Sequence, residues 1–241
     1  MLFEYGFKDF PQEYKPTDVG IILQKIKHML PEYIYDTARI ENNPITIPEI
    51  KTLIDGITIG GRKITDVQQI LNLKEAWQFL LENLKNSTFK VDKSFSDAIH
   101  SRVGKEEAVE WGVFRSGNIG IAGADKYVCP DYRELDGIYR NEISWVIGSS
   151  SHVENALRYF LWGSINQFYW DCNKRVSRMM AIGILVSGGF GIFNIPAKHI
   201  QAFNTLMVEF YNTKKADGIM EFLVKTSLKR IEREKEYYIG I

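Results

Sequence analysis

Asn166-Gln167-Phe168-Tyr169-Trp170-Asp171-Cys172-Asn173-Lys174-Arg175-Val176-Ser177-Arg178 is the stretch on which the reading of this chain turns. Upstream of it, Val153, Ala156, Leu157, Phe160, Leu161 and Ile165 recur at helical spacing; downstream, Val176, Met179, Met180 and Gly183 sit on a second helix. The stretch therefore predicts a tight connection between two helices. Asn173 is placed to N-cap the second, and Lys174, Arg175 and Arg178 fall in its first turn or so. Three cations beside the partial positive charge of a helix N-terminus are locally unfavourable. Together with the free backbone N–H groups they make a strong anion site. Asp171, just before the cap, is placed to hold a divalent cation between itself and phosphates. A surface turn whose arginines pair with nearby carboxylates is the alternative of equal weight.

Outward from this stretch, helical periodicity dominates. Val19, Ile22, Leu23, Ile26, Met29 and Leu30 mark one half-buried helix, and Val67, Ile70, Leu71, Trp77, Leu80, Leu81 and Leu84 a longer one. Thr46…Glu49, Thr65…Gln68, Asp131…Glu134 and Ser151…Glu154 have the spacing of capping boxes. Further helices are expected near 174–187, 196–212 and 216–236, the last carrying an alternating-charge face from Lys229 to Glu236. From Trp111 to Pro130 the period is lost. There, residues 118–122 and 126–129 flank Gly123-Ala124-Asp125 and predict a short β-hairpin, either a packing decoration or a flap over a site. No repeat or linker divides the chain, and Gly60-Gly61 comes nearest to a hinge. The expected fold is mainly α with a short β-hairpin flap, one domain over 1–241 with an N-terminal helical extension over about 1–60 and a core over about 95–215.

The 241 residues carry 30 Lys+Arg against 30 Asp+Glu, and 45% are hydrophobic. Such a chain is long enough to bury a core without staples. Zero net charge counts against a nucleic-acid surface. Two cysteines, Cys129 and Cys172, are too few for a disulfide framework and suit a reducing cytoplasm. The apolar stretch around Met179 to Phe193 is broken by Ser187 and several glycines, so no membrane span is expected. The N-terminal residues have no signal-peptide pattern, and a cytoplasmic location is expected. Composition leaves homo-oligomer formation open.

Residues 167–178 resemble the Fic (Fido) motif, His-x-Phe-x-Asp/Glu-Gly-Asn-Gly-Arg-x-x-Arg, with Asp171, Asn173, Arg175 and Arg178 matching in type and spacing and Tyr169 standing for the buried Phe. Gly112-Val113-Phe114-Arg115 and the segment after it resemble the family's G-x-[YF]-R and target-binding flap, and Asp217 to Phe222 its C-terminal helix start. Thr37-Ala38-Arg39-Ile40-Glu41-Asn42 is similar to the inhibitory motif [S/T]-x-x-x-E-[G/N] of the subclass with an N-terminal inhibitory helix. The resemblance covers about residues 30–230. It implies protein adenylyltransferase chemistry, in which AMP passes from ATP with Mg²⁺ to a hydroxyl of a target protein. It further implies Mg²⁺ on Asp171, phosphate oxygens at Asn173 and the backbone near Cys172 and Lys174, β-phosphate at Arg175, and γ-phosphate at Arg178. Thr37, Glu41 and Asn42 are then inhibitory, with Glu41 competing for Arg178 as a salt bridge. Ile119, Gly120, Ile121 and Ala122 take a segment of an unidentified target protein by strand addition.

Three departures qualify this. Gln167 holds the place of the family's His, the general base, and an amide does not accept that proton at neutral pH. Such a base is worth about 10²–10⁴-fold in rate, so slowed or absent transfer is expected. His28, His100, His152 and His199 lie outside the motif, and His100 and His199 are expected as core or surface residues. Cys172 replaces a Gly, its thiol more in keeping with inert packing than with a nucleophile. Lys174 replaces the second Gly, as in the Doc branch, whose pattern goes with kinase activity. Trp162, Phe168, Tyr169 and Trp170 surround the loop, with core packing the leading role for most of them. The expected function is nucleotide binding with weak or no transfer. A non-catalytic module that binds protein through the flap and a Doc-like phosphotransferase are the alternatives.

Overall fold

The computed structural model describes residues 3–11 and 15–231, and it is mainly helical, as the periodicity predicts. Among the described residues the helices run α1 (Val19–His28), α2 (Leu30–Ile40), α3 (Ile47–Ile54), α4 (Ile64–Lys85), α5 (Lys93–Val103), α6 (Leu135–Val146), α7 (His152–Asn166), α8 (Asn173–Ser187), α9 (Ile200–Thr213) and α10 (Asp217–Thr226). One antiparallel ribbon pairs β1 (Gly191–Phe193) with β2 (Leu228–Arg230), Ile192 opposite Lys229.

The two helices flanking the quoted stretch, α7 and α8, form the centre. From Ala156 to Asn166 every α7 residue but Arg158 is buried, and α8 is buried from Arg175 to Val186. Helices buried nearly all round belong inside a fold, and each large apolar side chain so buried stabilises by about 1.5–3 kcal/mol. A Cβ at Gly163 would stand 2.2 Å from Ser177 Oγ, so only glycine lets α7 approach α8 this closely. α1, α4 and α5 pack against α8, and α2 and α3 pack against α4. The C-terminal end of α2 thereby comes to the start of α8.

The expected helix through Leu30 breaks at Met29, because Pro31 lacks an N–H and is tolerated only in the first turn of a new helix. The Thr46…Glu49 capping box forms, and Glu49 also accepts from Arg62 Nε and Nη2 at 2.8 Å. Ser151 caps α7 by accepting from Glu154 N, but the Glu154 carboxylate turns to Tyr5, Ser149 and Arg158. Asp131 caps a 3₁₀ turn ahead of α6, and Thr65 is no cap, since α4 begins after Lys63.

Two expectations are corrected. The helix expected over 216–236 ends at Thr226, where the chain turns into β2 to pair with β1; residues 232–236 of its charged face lie outside the described residues. The hairpin over 118–129 does not form: the segment runs as a loop with turns at Ile121–Ala124 and Ala124–Tyr127. Lys126 N is claimed by Asn212 Oδ1 and the flanking Gly117 and Pro130 carbonyls by Arg115, and two lone strands hold together poorly even without such competition. Among the described residues no helix is long and apolar enough to cross a membrane.

Candidate functional site

The connection between α7 and α8 is shaped by two left-handed residues. Gln167 (φ 49°, ψ 59°) ends α7, and Cys172 (φ 63°, ψ 9°) starts α8. Cys172 therefore occupies a backbone position that favours glycine, which accounts for the Gly of the motif it resembles. Its side chain turns inward, 3% exposed with Sγ 3.7 Å from the Val103 carbonyl, and burial pushes the thiol pKa up. That is packing and not nucleophile chemistry.

Asn173 is the first residue of α8 rather than its cap. Its Oδ1 accepts from Tyr169 N (2.9 Å), while Nδ2 donates to the Tyr169 carbonyl (2.8 Å) and to Gln167 Oε1 (3.0 Å). It braces the loop from within. Tyr169 is buried as its place in the motif implies, its hydroxyl bonded to Ser96 and Asp97 and its ring stacked on His100 at 3.9 Å. Trp162 and Phe168 are core, whereas Trp170 is half-buried with its indole N–H donating to Glu110 Oε2. His100 is fully buried. Its Nδ1 accepts from Gly112 N (3.0 Å), and desolvation lowers its pKa to about 4, so it is a neutral core residue that does not reach the pocket.

A cavity of about 620 Å³ opens over the loop. Gln167, Trp170, Asp171, Cys172, Asn173 and Lys174 form its floor, Glu41 and Asn42 one wall, Ile119 to Ala122 another, and Asn204, Met207, Val208 and Tyr211 of α9 the far side. Its size suits a small-molecule ligand. Asn42 takes φ 59° just past the end of α2, which explains Asn or Gly there. Thr37 is buried in α2 and does not line the cavity.

The charges are arranged differently from the implied pattern. Glu41 makes no ion pair with Arg178; its carboxylate stands 3.8 Å from Lys174 Nζ. Arg178 lies below the cavity, 2% exposed, and none of its three side-chain nitrogens has a hydrogen-bond partner among the described residues. Burial lowers its pKa to about 10, against the opposing field of Glu41. At neutral pH it is thus an unpaired buried cation, a costly arrangement. Arg175 is also beneath the floor, with Nη1 2.8 Å from Glu107 Oε2 and Nη2 3.9 Å from Asp171. Asp171 presents a side chain 62% exposed whose Oδ1 accepts from Cys172 N at 2.5 Å. The second half of the equal-weight alternative, arginines paired with carboxylates, thus describes Arg175 but not Arg178.

Glu107, which sequence reasoning missed, is the carboxylate closest to the motif's first arginine in hydrogen-bond terms, and Asn72 and Gln69 of α4 both donate to it. A signal existed: Asn72 sits between Leu71 and Leu73 on a helix otherwise apolar there, and a buried Asn needs partners. Arg115 was placed in the flap motif, but its role emerges only here. Its Nε donates to the Gln167 carbonyl (2.7 Å), Nη1 to that of Gly117 and Nη2 to that of Pro130 (both 2.6 Å). One guanidinium joins the α7–α8 loop to both ends of the 118–129 segment.

No protein-family model matches the chain. It is 26% identical over 174 residues to a protein adenylyltransferase Fic of Drosophila ananassae, which covers 68% of this chain and 34% of the relative, so the chain spans about a third of that protein. A Fic domain containing signaling protein from Bacteroides thetaiotaomicron superposes with a TM-score of 0.72 at 14% identity, over 88% of this chain and 87% of that one. Fic-1 (aa134–508) from C. elegans gives 0.72 at 18%, over 89% of this chain and 64% of that one. The Fic/Fido resemblance holds in sequence, and the fold is that of Fic domains.

Proposed function

We propose that this chain binds a nucleoside triphosphate with Mg²⁺ over the α7–α8 loop, and that it transfers AMP to a protein hydroxyl slowly or not at all. The observation that carries this reading is Gln167. It stands on the cavity floor where the motif has its base, and both ends of its amide are committed, Nε2 to the Ser164 carbonyl (2.6 Å) and Oε1 to Asn173. A primary amide so held neither accepts a proton nor turns toward a substrate hydroxyl.

The residues present suit the ligand. Lys174 and the first N–H groups of α8 offer positive charge at the floor, and below them Arg178 is an orphaned guanidinium that a phosphate would satisfy. Asp171 supplies one exposed carboxylate, and no set of three His, Cys, Asp or Glu gathers among the described residues. A cation there would take its remaining ligands from phosphates and water, as Mg²⁺ commonly does. Bound Mg-ATP would supply the activated AMP group; Glu41, opposite Lys174, repels phosphate and lowers its affinity. A target segment lies along Ile119–Ala122.

Two measurements test this. Mg-ATP is expected to raise the melting temperature of the wild type, and to do so more in Glu41→Gly, since a ligand at 100 times its Kd adds about 2.7 kcal/mol. Intact mass after incubation with Mg-ATP and a panel of other triphosphates should stay constant for the wild type and gain AMP in Gln167→His/Glu41→Gly. Wild-type self-modification at the rate of the double variant overturns the reading. A phosphate-sized gain favours the Doc-like reaction, and no thermal shift in either protein favours the flap as a non-catalytic binding surface.

A further inference from the structure

Arg175 opens α8 beside residues that line the cavity, yet it does not line it itself. Its side chain is 3% exposed and spends Nη1 on Glu107. Glu107 lies in the turn after α5, in none of the motifs, and both its oxygens are engaged. Oε2 also accepts from Gln69 Nε2 (3.0 Å), and Oε1 accepts from Asn72 Nδ2 (3.2 Å). The Gln69 amide is oriented from its other end, where Oε1 accepts from Asn43 Nδ2 (3.0 Å). Asn43 is buried two residues past Glu41, and it is fixed by the Asp66 carbonyl (2.9 Å) and by Ile45 N (3.0 Å). A continuous run of hydrogen bonds thus joins the segment that carries Glu41 to the first arginine of the loop, by a path that does not include Glu41.

We propose that Glu107 is a second carboxylate that sets the site's affinity for polyphosphate: it neutralises Arg175 from below while Glu41 faces Lys174 from above, and Asn43, through Gln69, holds it in place. A carboxylate on a guanidinium takes donors and cancels charge that a phosphate would otherwise feel. The Asn43 bond fixes which end of the Gln69 amide faces Glu107. Without it the amide is free to turn its oxygen to the carboxylate, which weakens the clamp. Movement of the 41–43 segment therefore loosens both carboxylates together. Because the effect is one of charge, it scales with the charge of the ligand. The proposal rests on the nucleotide-binding reading above.

The test is calorimetric titration of the full chain and its Glu107→Gln, Asn43→Ala, Asn43→Ala/Glu107→Gln and Glu41→Gly variants with Mg-ATP and with AMP. Glu107→Gln keeps an acceptor for Arg175 and is expected to tighten Mg-ATP about 3–10-fold while AMP changes by less than about twofold. Asn43→Ala should give a smaller gain in the same direction, and no gain in the Glu107→Gln background. In the ligand-free protein the ¹⁵N-detected Nε–Hε resonance of Arg175 should shift in Asn43→Ala, a residue that does not touch it. That shift and the Asn43→Ala titration carry the test if Glu107→Gln does not fold. Weaker Mg-ATP binding in Glu107→Gln, or equal changes for Mg-ATP and AMP, overturns the proposal and leaves Glu107 a structural support. If Glu41→Gly binds Mg-ATP while neither Glu107→Gln nor Asn43→Ala tightens it, only this proposal falls. If no variant binds, the nucleotide reading falls and this one with it.

Discussion

Arg115 and Arg178 are equally buried, each 2% exposed, but their surroundings are opposite. Around Arg115 three carbonyls from three separate places in the chain converge, one for each side-chain nitrogen. Around Arg178 no acceptor among the described residues bonds any nitrogen. Burial by itself does not say what a guanidinium is for; its acceptors do. A satisfied one fastens backbone, whereas an orphaned one destabilises the fold for want of an acceptor.

The largest expected effect tests the satisfied side. Arg115→Met should lower unfolding free energy by about 4–5 kcal/mol in denaturant titration, because three carbonyls lose their donors at once. A loss below about 1 kcal/mol would place Arg115 with Arg178 as a poised cation.

His100 falls between the two, with Nδ1 satisfied and Nε2 lacking a full hydrogen bond among the described residues. Its pKa, lowered by burial from 6.5 to about 4, means the unfolded chain takes the proton first. Its contribution to stability is therefore complete above pH 6.5 and is lost as pH falls toward 4, by about 2–3 kcal/mol. Unfolding curves from pH 7 to 4 should show that slope in the wild type, and His100→Phe, which keeps the stack on Tyr169, should remove it.

The smallest effect, and the one of opposite sign, belongs to the orphaned side. Arg178→Met should leave stability unchanged or raise it by about 1–3 kcal/mol, since an apolar chain of similar length replaces an unpaired charge. The same variant should lose the Mg-ATP melting shift. A large loss of stability would show that Arg178 has acceptors in solution.

The helices on either side of the loop were legible because their periods are local: apolar residues from Val153 to Ile165 and from Val176 to Gly183 recur at helical spacing. Asp171, Asn173 and Lys174 were legible as cavity residues because the connection between those helices is short. What was not legible depends on distant partners. Residues 118–122 and 126–129 read as strands about a turn, but Arg115 takes the flanking carbonyls and Asn212 the Lys126 N–H. Leu228–Arg230 reads as helix until Gly191–Phe193 is found beside it. The implied pair Glu41–Arg178 gave way to Glu41–Lys174, because Lys174 stands at the cavity surface one turn above the buried arginine. Glu107 meets Arg175 across 68 positions and belongs to no motif, so only the fold reveals it.

The Arg115 clamp has a consequence for how this surface varies. With the Gly117 and Pro130 carbonyls held to one side chain, the ends of the segment between them are set at a fixed spacing whatever lies between. Within that segment Tyr127 is anchored, buried with its hydroxyl donating to the Ile165 carbonyl of α7, whereas nothing lies within 4 Å of a Cβ built on Gly120. Changes of length or sequence at Gly120 therefore leave α7 and α8 undisturbed, and the entropy of closing a somewhat longer loop rises by only about 0.6 kcal/mol per doubling. The α7–α8 connection, which the same guanidinium grips at the Gln167 carbonyl, stays in place through such changes.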